Sequence, residues 1–247
     1  MLSQINLWLE RFGMLLDVLL VLRILSLRLH RTYLFITLAA VLSVFYDAIG
    51  LTLGLESERY FRVVILSKFL YAIVFPLAIW DVFEEAKPIV EKTRQLAMSR
   101  TIGSLIFITL WGLLIAAFTA SDDGDQIGYL IRLAVIVWTG SVAAALAFLW
   151  VMRRSGKAQA WDLPRNTRVW FRYFQIALII EASSCVLVLG APFLKSADSS
   201  VADAISDGVA IVLQIMDIGL VSWCIWQLRA VPSDAAGDSI NEAKPVP

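Results

Sequence analysis

One histidine, His30, and two cysteines, Cys185 and Cys224, are all that 247 residues hold of the side chains that build zinc sites and disulfide frameworks. The cysteines stand in different hydrophobic segments without C-x-x-C spacing, so neither a disulfide framework nor a metal site is expected. His30 lies among arginines in a short connection and reads as a loop or lipid-headgroup contact. No nucleophile elbow and no glycine-rich phosphate loop occurs. The chain is therefore read as a non-enzyme without a cofactor. Charge is scarce as well: 17% of residues are charged, with 21 of each sign, which removes the basic excess that nucleic acid demands. The last hydrophobic segment, DGVAIVLQIMDIGLVSWCIWQL, has no lysine. A seven-helix protein that holds retinal as a Schiff base is excluded on that ground.

What fills the chain instead is apolar sequence. Hydrophobic residues make up 59% and mean hydropathy is +0.75, outside the range of soluble domains. A spanning helix needs about 20 mostly apolar residues. Seven segments meet that need, at 7–27, 33–54, 60–83, 102–120, 127–152, 169–194 and 205–228. Trp8, Tyr33, Tyr60, Trp80, Tyr129, Trp150, Trp170, Tyr173 and Trp226 fall near their ends, where amphipathic rings favour the headgroup level. Glu10 and Arg11 precede the apolar run of the first segment, and LRLHR rather than a small-residue cleavage site follows it, so the segment is expected to be retained. The expected fold is an all-α, seven-helix transmembrane bundle over residues 1–230, followed by a short disordered cytoplasmic tail over 231–247.

Loop charge sets the expected orientation. Arg28, Arg31, Lys87, Lys92, Arg94, Arg100, Arg153, Arg154, Lys157, Arg165, Arg168 and Arg229 lie on one side. The other side holds mainly Glu56, Glu58, Asp122, Asp123, Asp125, Asp198, Asp203 and Asp207. The positive-inside rule then puts the N-terminus outside and the C-terminus inside. The stretch Phe83–Arg100, FEEAKPIVEKTRQLAMSR, extends the third helix into the cytoplasm and is the expected surface for a cytoplasmic partner.

Ionisable residues inside spans are rare and functional by default. Here they are Asp17, Arg23, Asp47, Lys68, Arg132, Glu181 and Asp217, with Gln214 one turn before the last. Arg23 lies near an inner end, where it can snorkel. At about 1.5 Å per residue, Asp47 and Lys68 lie about 10 and 12 Å from the outer side, and Arg132 about 8 Å. Asp17, Glu181 and Asp217 fall near mid-membrane. Asp47 and Lys68 thus either meet as a buried ion pair or, with Arg132, line an outward cavity for an anionic or polar ligand. Tyr46-Asp47 matches half of the intramembrane aspartyl protease signature, but Gln214-Ile-Met-Asp217 lacks the Gly-x-Gly-Asp half and is placed at another depth. Gly50 with Gly54, Gly112 with Ala116, and Gly140 with Ala144 have the spacing that lets helices approach closely. Pro76 is expected to bend the third helix.

At RLHRTYLFITLAAVLSVFYDAIGL and LAIWDVFEEAKPIVEKTRQLA the chain resembles a group of functionally uncharacterised bacterial seven-helix membrane proteins. In that group a basic-aromatic stretch precedes the second helix, and the third runs into an acidic-aromatic-proline segment. The resemblance implies a bacterial inner-membrane location and a bundle similar to the membrane input modules of sensory proteins. It brings no functional residues. The expected function is ligand sensing, with an unknown small molecule and a cytoplasmic partner. A proton-coupled carrier using Glu181 and Asp217 is the rival, and a structural subunit of a membrane complex the third reading.

Overall fold

A computed structural model describes residues 2–53, 58–90, 126–159, 163–195 and 199–230. The predicted span at 102–120, most of the Phe83–Arg100 stretch beyond Val90, and the tail lie outside the described residues. Those described form α1 (Leu2–Ser26), a 3-10 turn (Leu29–Arg31), α2 (Leu34–Leu53), α3 (Glu58–Val90), α4 (Gln126–Gln159), α5 (Arg165–Lys195) and α6 (Ser199–Gln227). All are helical, and five contain runs long and apolar enough to cross a membrane: Leu34–Leu53, Ile65–Ala86, Leu133–Arg154, Arg165–Val186 and Gly208–Gln227. The protein is an all-helical integral membrane bundle that contacts the lipid bilayer.

Each helix packs on the next, and α1 packs on α6, so the described helices form a closed ring with α3 also touching α5. Burial is concentrated at one end of this ring. Ile24, Leu29, Val82, Phe83, Leu149, Met152, Trp170 and Leu228 are all fully enclosed there. Aromatic rings interlock from that end towards the middle, with Phe83 on Phe148 at 5.5 Å, Trp170 on Tyr173 at 5.6 Å, and Phe75 between Trp138 at 5.5 Å and Phe174 at 5.4 Å. Their edge-to-face contacts fill volume that aliphatic side chains would leave open.

Polar groups at the packed end close the helix termini, whose first N–H and last C=O groups lack intrahelical partners. The Asp81 Oδ2 of α3 accepts from the backbone N–H of Phe35 at 2.6 Å and of Ile36 at 3.0 Å, capping α2 from a neighbouring helix. The Arg23 guanidinium donates to the Leu228 carbonyl at 3.1 Å, closing the end of α6. Asn166 donates to the Arg229 carbonyl at 2.8 Å and accepts from its N–H at 3.1 Å. Tyr33 and Thr167 share a hydrogen bond of 3.1 Å.

Pro76 lies inside α3, which runs on without a break in its assignment. A proline has no N–H for the carbonyl four residues back, here Ala72. The Ser141 hydroxyl of α4 supplies the missing donor at 2.9 Å. Gly140, Ser141, Ala144 and Ala145 are all buried, and their small size lets α4 come close enough to make that bond. Gly50 is buried as well, whereas Gly54, Gly112 and Ala116 lie outside the described residues.

Candidate functional site

Three helix faces meet in a cavity. On α1, Glu10, Gly13 and Asp17 follow one another at three- and four-residue spacing; Ser43, Asp47 and Gly50 do so on α2, and Gln214, Asp217 and Val221 on α6. Such residues share one face of a helix. With Tyr46 and apolar neighbours they enclose about 190 Å³ between α1, α2 and α6. Four carboxylates, those of Glu10, Asp17, Asp47 and Asp217, line it, and none of the described lining residues is a cation. The Ser43 hydroxyl donates to the Asp17 carboxylate.

Carboxylates facing one space between apolar helices repel one another, and protons or a bound cation relieve that repulsion. Among the described residues no three acids, cysteines or histidines stand close enough to hold a metal ion. About 150 Å³ admits a benzene-sized guest, so this cavity has room for a small organic molecule.

Lys68 is elsewhere. Its ammonium sits 5.2 Å from the centroid of the Trp138 ring, and the indole N–H of the same tryptophan donates to the Glu181 carboxylate at 3.0 Å. Cation and anion thus engage one buried ring from α3 and α5, and no ion pair joins Lys68 to Asp47 among the described residues. Asp47 faces α1 and α6, whereas Lys68 faces α4. Arg132 belongs to α4, but its side chain lies outside the described set. Tyr71 stands between the two clusters, edge-on to Trp138 at 6.0 Å and hydrogen-bonded to Ser43.

Of the residues picked out from the sequence, the structure unites Asp17, Asp47, Gln214 and Asp217, and sets Lys68 and Glu181 apart. That union departs from the depth count, which placed Asp47 and Asp217 at different levels. Glu10, Ser43 and Tyr46 of the cavity, the cap Asp81 and the bridging Trp138 were not foreseen. Glu10 had a legible signal, since it lies seven residues, two helical turns, before Asp17. Comparison of the chain with family profiles, with curated proteins and with solved structures found no match in any of the three.

Proposed function

We propose that the protein is a seven-helix membrane module, N-terminus outside and C-terminus in the cytoplasm, that binds a small organic cation from the outer side without catalysing a reaction. The observation that carries this reading is the cavity with four carboxylates and no cation among its described lining residues. Its seven spans rest on three supports. The five apolar helices are the first. Second, α1 turns Glu10 and Asp17 to the cavity and Arg23 to the end of α6, while Trp8, Phe12, Leu15, Leu19 and Leu22 form an exposed apolar face suited to lipid. Third, α3 ends at the packed end and α4 begins at the far one, and the apolar run 102–120 between them in sequence has the length of one more span.

Orientation follows from Arg28, Arg31, Arg153, Arg154, Arg165, Arg168 and Arg229, all at the packed end and favouring the cytoplasm. The bacterial inner membrane is the location implied by the resemblance. The packed end, where the Phe83–Arg100 stretch begins, is the face offered to a cytoplasmic partner, with Phe83 itself enclosed in the core. A proton-coupled carrier would use Glu181 and Asp217 together; Glu181 accepts from Trp138 while Asp217 lines the cavity with three further carboxylates, and it is that lining which supports cation binding. Calorimetric titration of the purified protein with 1,4-diaminobutane and, separately, succinate tests the reading. The diamine is expected to bind saturably, with affinity about tenfold weaker in Asp47→Asn or Asp217→Asn. Binding of succinate that depends on Lys68 would overturn the proposal.

A further inference from the structure

The packed end has a second distinctive surface at the corner where the turn before α2, the start of α5 and the end of α6 meet. Two sets of bonds draw these segments together: Tyr33 to Thr167, and Asn166 to both backbone groups of Arg229. Asn166 and Thr167 are buried, while Arg31, Arg165 and Arg229 are exposed around them. The side chains of Arg165 and Arg229 have only neutral partners among the described residues, Gln227 Oε1 at 3.4 Å and the Trp226 carbonyl at 3.5 Å. Three exposed arginines thus stand on segments joined by a buried framework of neutral side chains, with the carboxylates of Asp81 and Glu85 also near Tyr33. The free N–H groups at the start of α5 add partial positive charge at the same corner.

Depth decides which anion this corner meets. Arg165 opens the span-length run Arg165–Val186, and Arg229 stands two residues past the run that ends at Gln227. At about 1.5 Å per residue, both lie within a few ångströms of the hydrocarbon edge, at the level of lipid phosphates rather than out in the cytoplasm. Trp226, at 69% exposure, and Trp150, at 59%, are set at the same end, as interfacial rings are. A guanidinium fork matches two phosphate oxygens at once. We propose that the Arg31, Arg165 and Arg229 corner binds the phosphate of an anionic phospholipid. This inference is independent of the cavity and its ligand.

Native mass spectrometry of the full chain, released from detergent after incubation with phosphatidylglycerol or phosphatidylcholine, tests it. The wild type is expected to retain phosphatidylglycerol in preference, and each of Arg165→Gln and Arg229→Gln to weaken that retention about fivefold. Arg11→Gln, at the opposite end, is the control and should leave retention unchanged. Arg165→Lys, which keeps the charge, guards against loss of fold and should retain an intermediate preference. Equal retention of the two lipids, or a preference insensitive to both corner variants, would overturn the proposal. So would displacement of the lipid by an oligoglutamate peptide at equal concentration, which would assign the corner to an acidic protein partner.

Discussion

Ser141 illustrates how one hydroxyl can settle the consequence of a residue on another helix. Pro76 deprives the Ala72 carbonyl of its helical donor, and inside a bilayer no water is at hand to replace it. Ser141→Ala should therefore destabilise the protein by about 1–3 kcal/mol, seen as a lower midpoint in thermal unfolding in detergent. Combining it with Pro76→Ala, which restores the N–H, should recover most of that loss; additive losses would sink the explanation. Lys68 is a different case. Its partner is an aromatic ring, so Lys68→Met should cost about 1–2 kcal/mol and should couple in a double-mutant cycle to Trp138→Leu but not to Asp47→Asn. A coupling to Asp47 above about 1 kcal/mol would restore the direct ion pair.

At the scale of the helix, termini are the points where membrane burial is hardest to satisfy, and here neighbouring helices supply the caps. Asp81 on α3 closes the start of α2, and Arg23 on α1 closes the end of α6. Asp81→Ala should cost about 1–2 kcal/mol and should raise amide exchange at Phe35 and Ile36 while leaving the end of α6 protected. Uniform loss of protection would mean that the cap holds the whole end and not one helix. Helix existence was readable from apolar length, because a bilayer admits few alternatives to a helix. Rotation about each axis was not. Depth counting brought Asp47 and Lys68 to similar levels on adjacent helices, yet a helix can present a residue at a given level to any neighbour. The faces themselves were legible in the spacing of 10, 13 and 17, of 43, 47 and 50, and of 214, 217 and 221. Which faces would meet was not, since nothing in the loops announces that the first helix packs against the last.

Taken whole, the bundle of described helices is polarised along its axis. One end is dense, with interlocked aromatics, capped termini and exposed arginines; the other opens into a carboxylate-lined cavity between the first, second and last helices. Closure of the ring by α1 against α6 creates that cavity, and the same contact joins it to the packed end through Arg23 and Leu228. Under the proposed function, a ligand that draws the acids of α1, α2 and α6 together would pull on helices of which the first and last are tied at their far ends.

Gly13 offers the most direct test, because it lines the cavity and a side chain added there meets nothing within 4 Å. The native cysteines are both buried, so Gly13→Cys supplies the reactive thiol. The measurement is the rate at which a membrane-impermeant maleimide, added outside intact cells, labels Gly13→Cys with and without 1,4-diaminobutane. Labelling from outside, slowed by the diamine and no longer slowed once Asp47→Asn and Asp217→Asn are added, is the predicted result. A thiol unreachable from outside, or one labelled at the same rate whether or not the diamine is present, would contradict an outward-facing cation site.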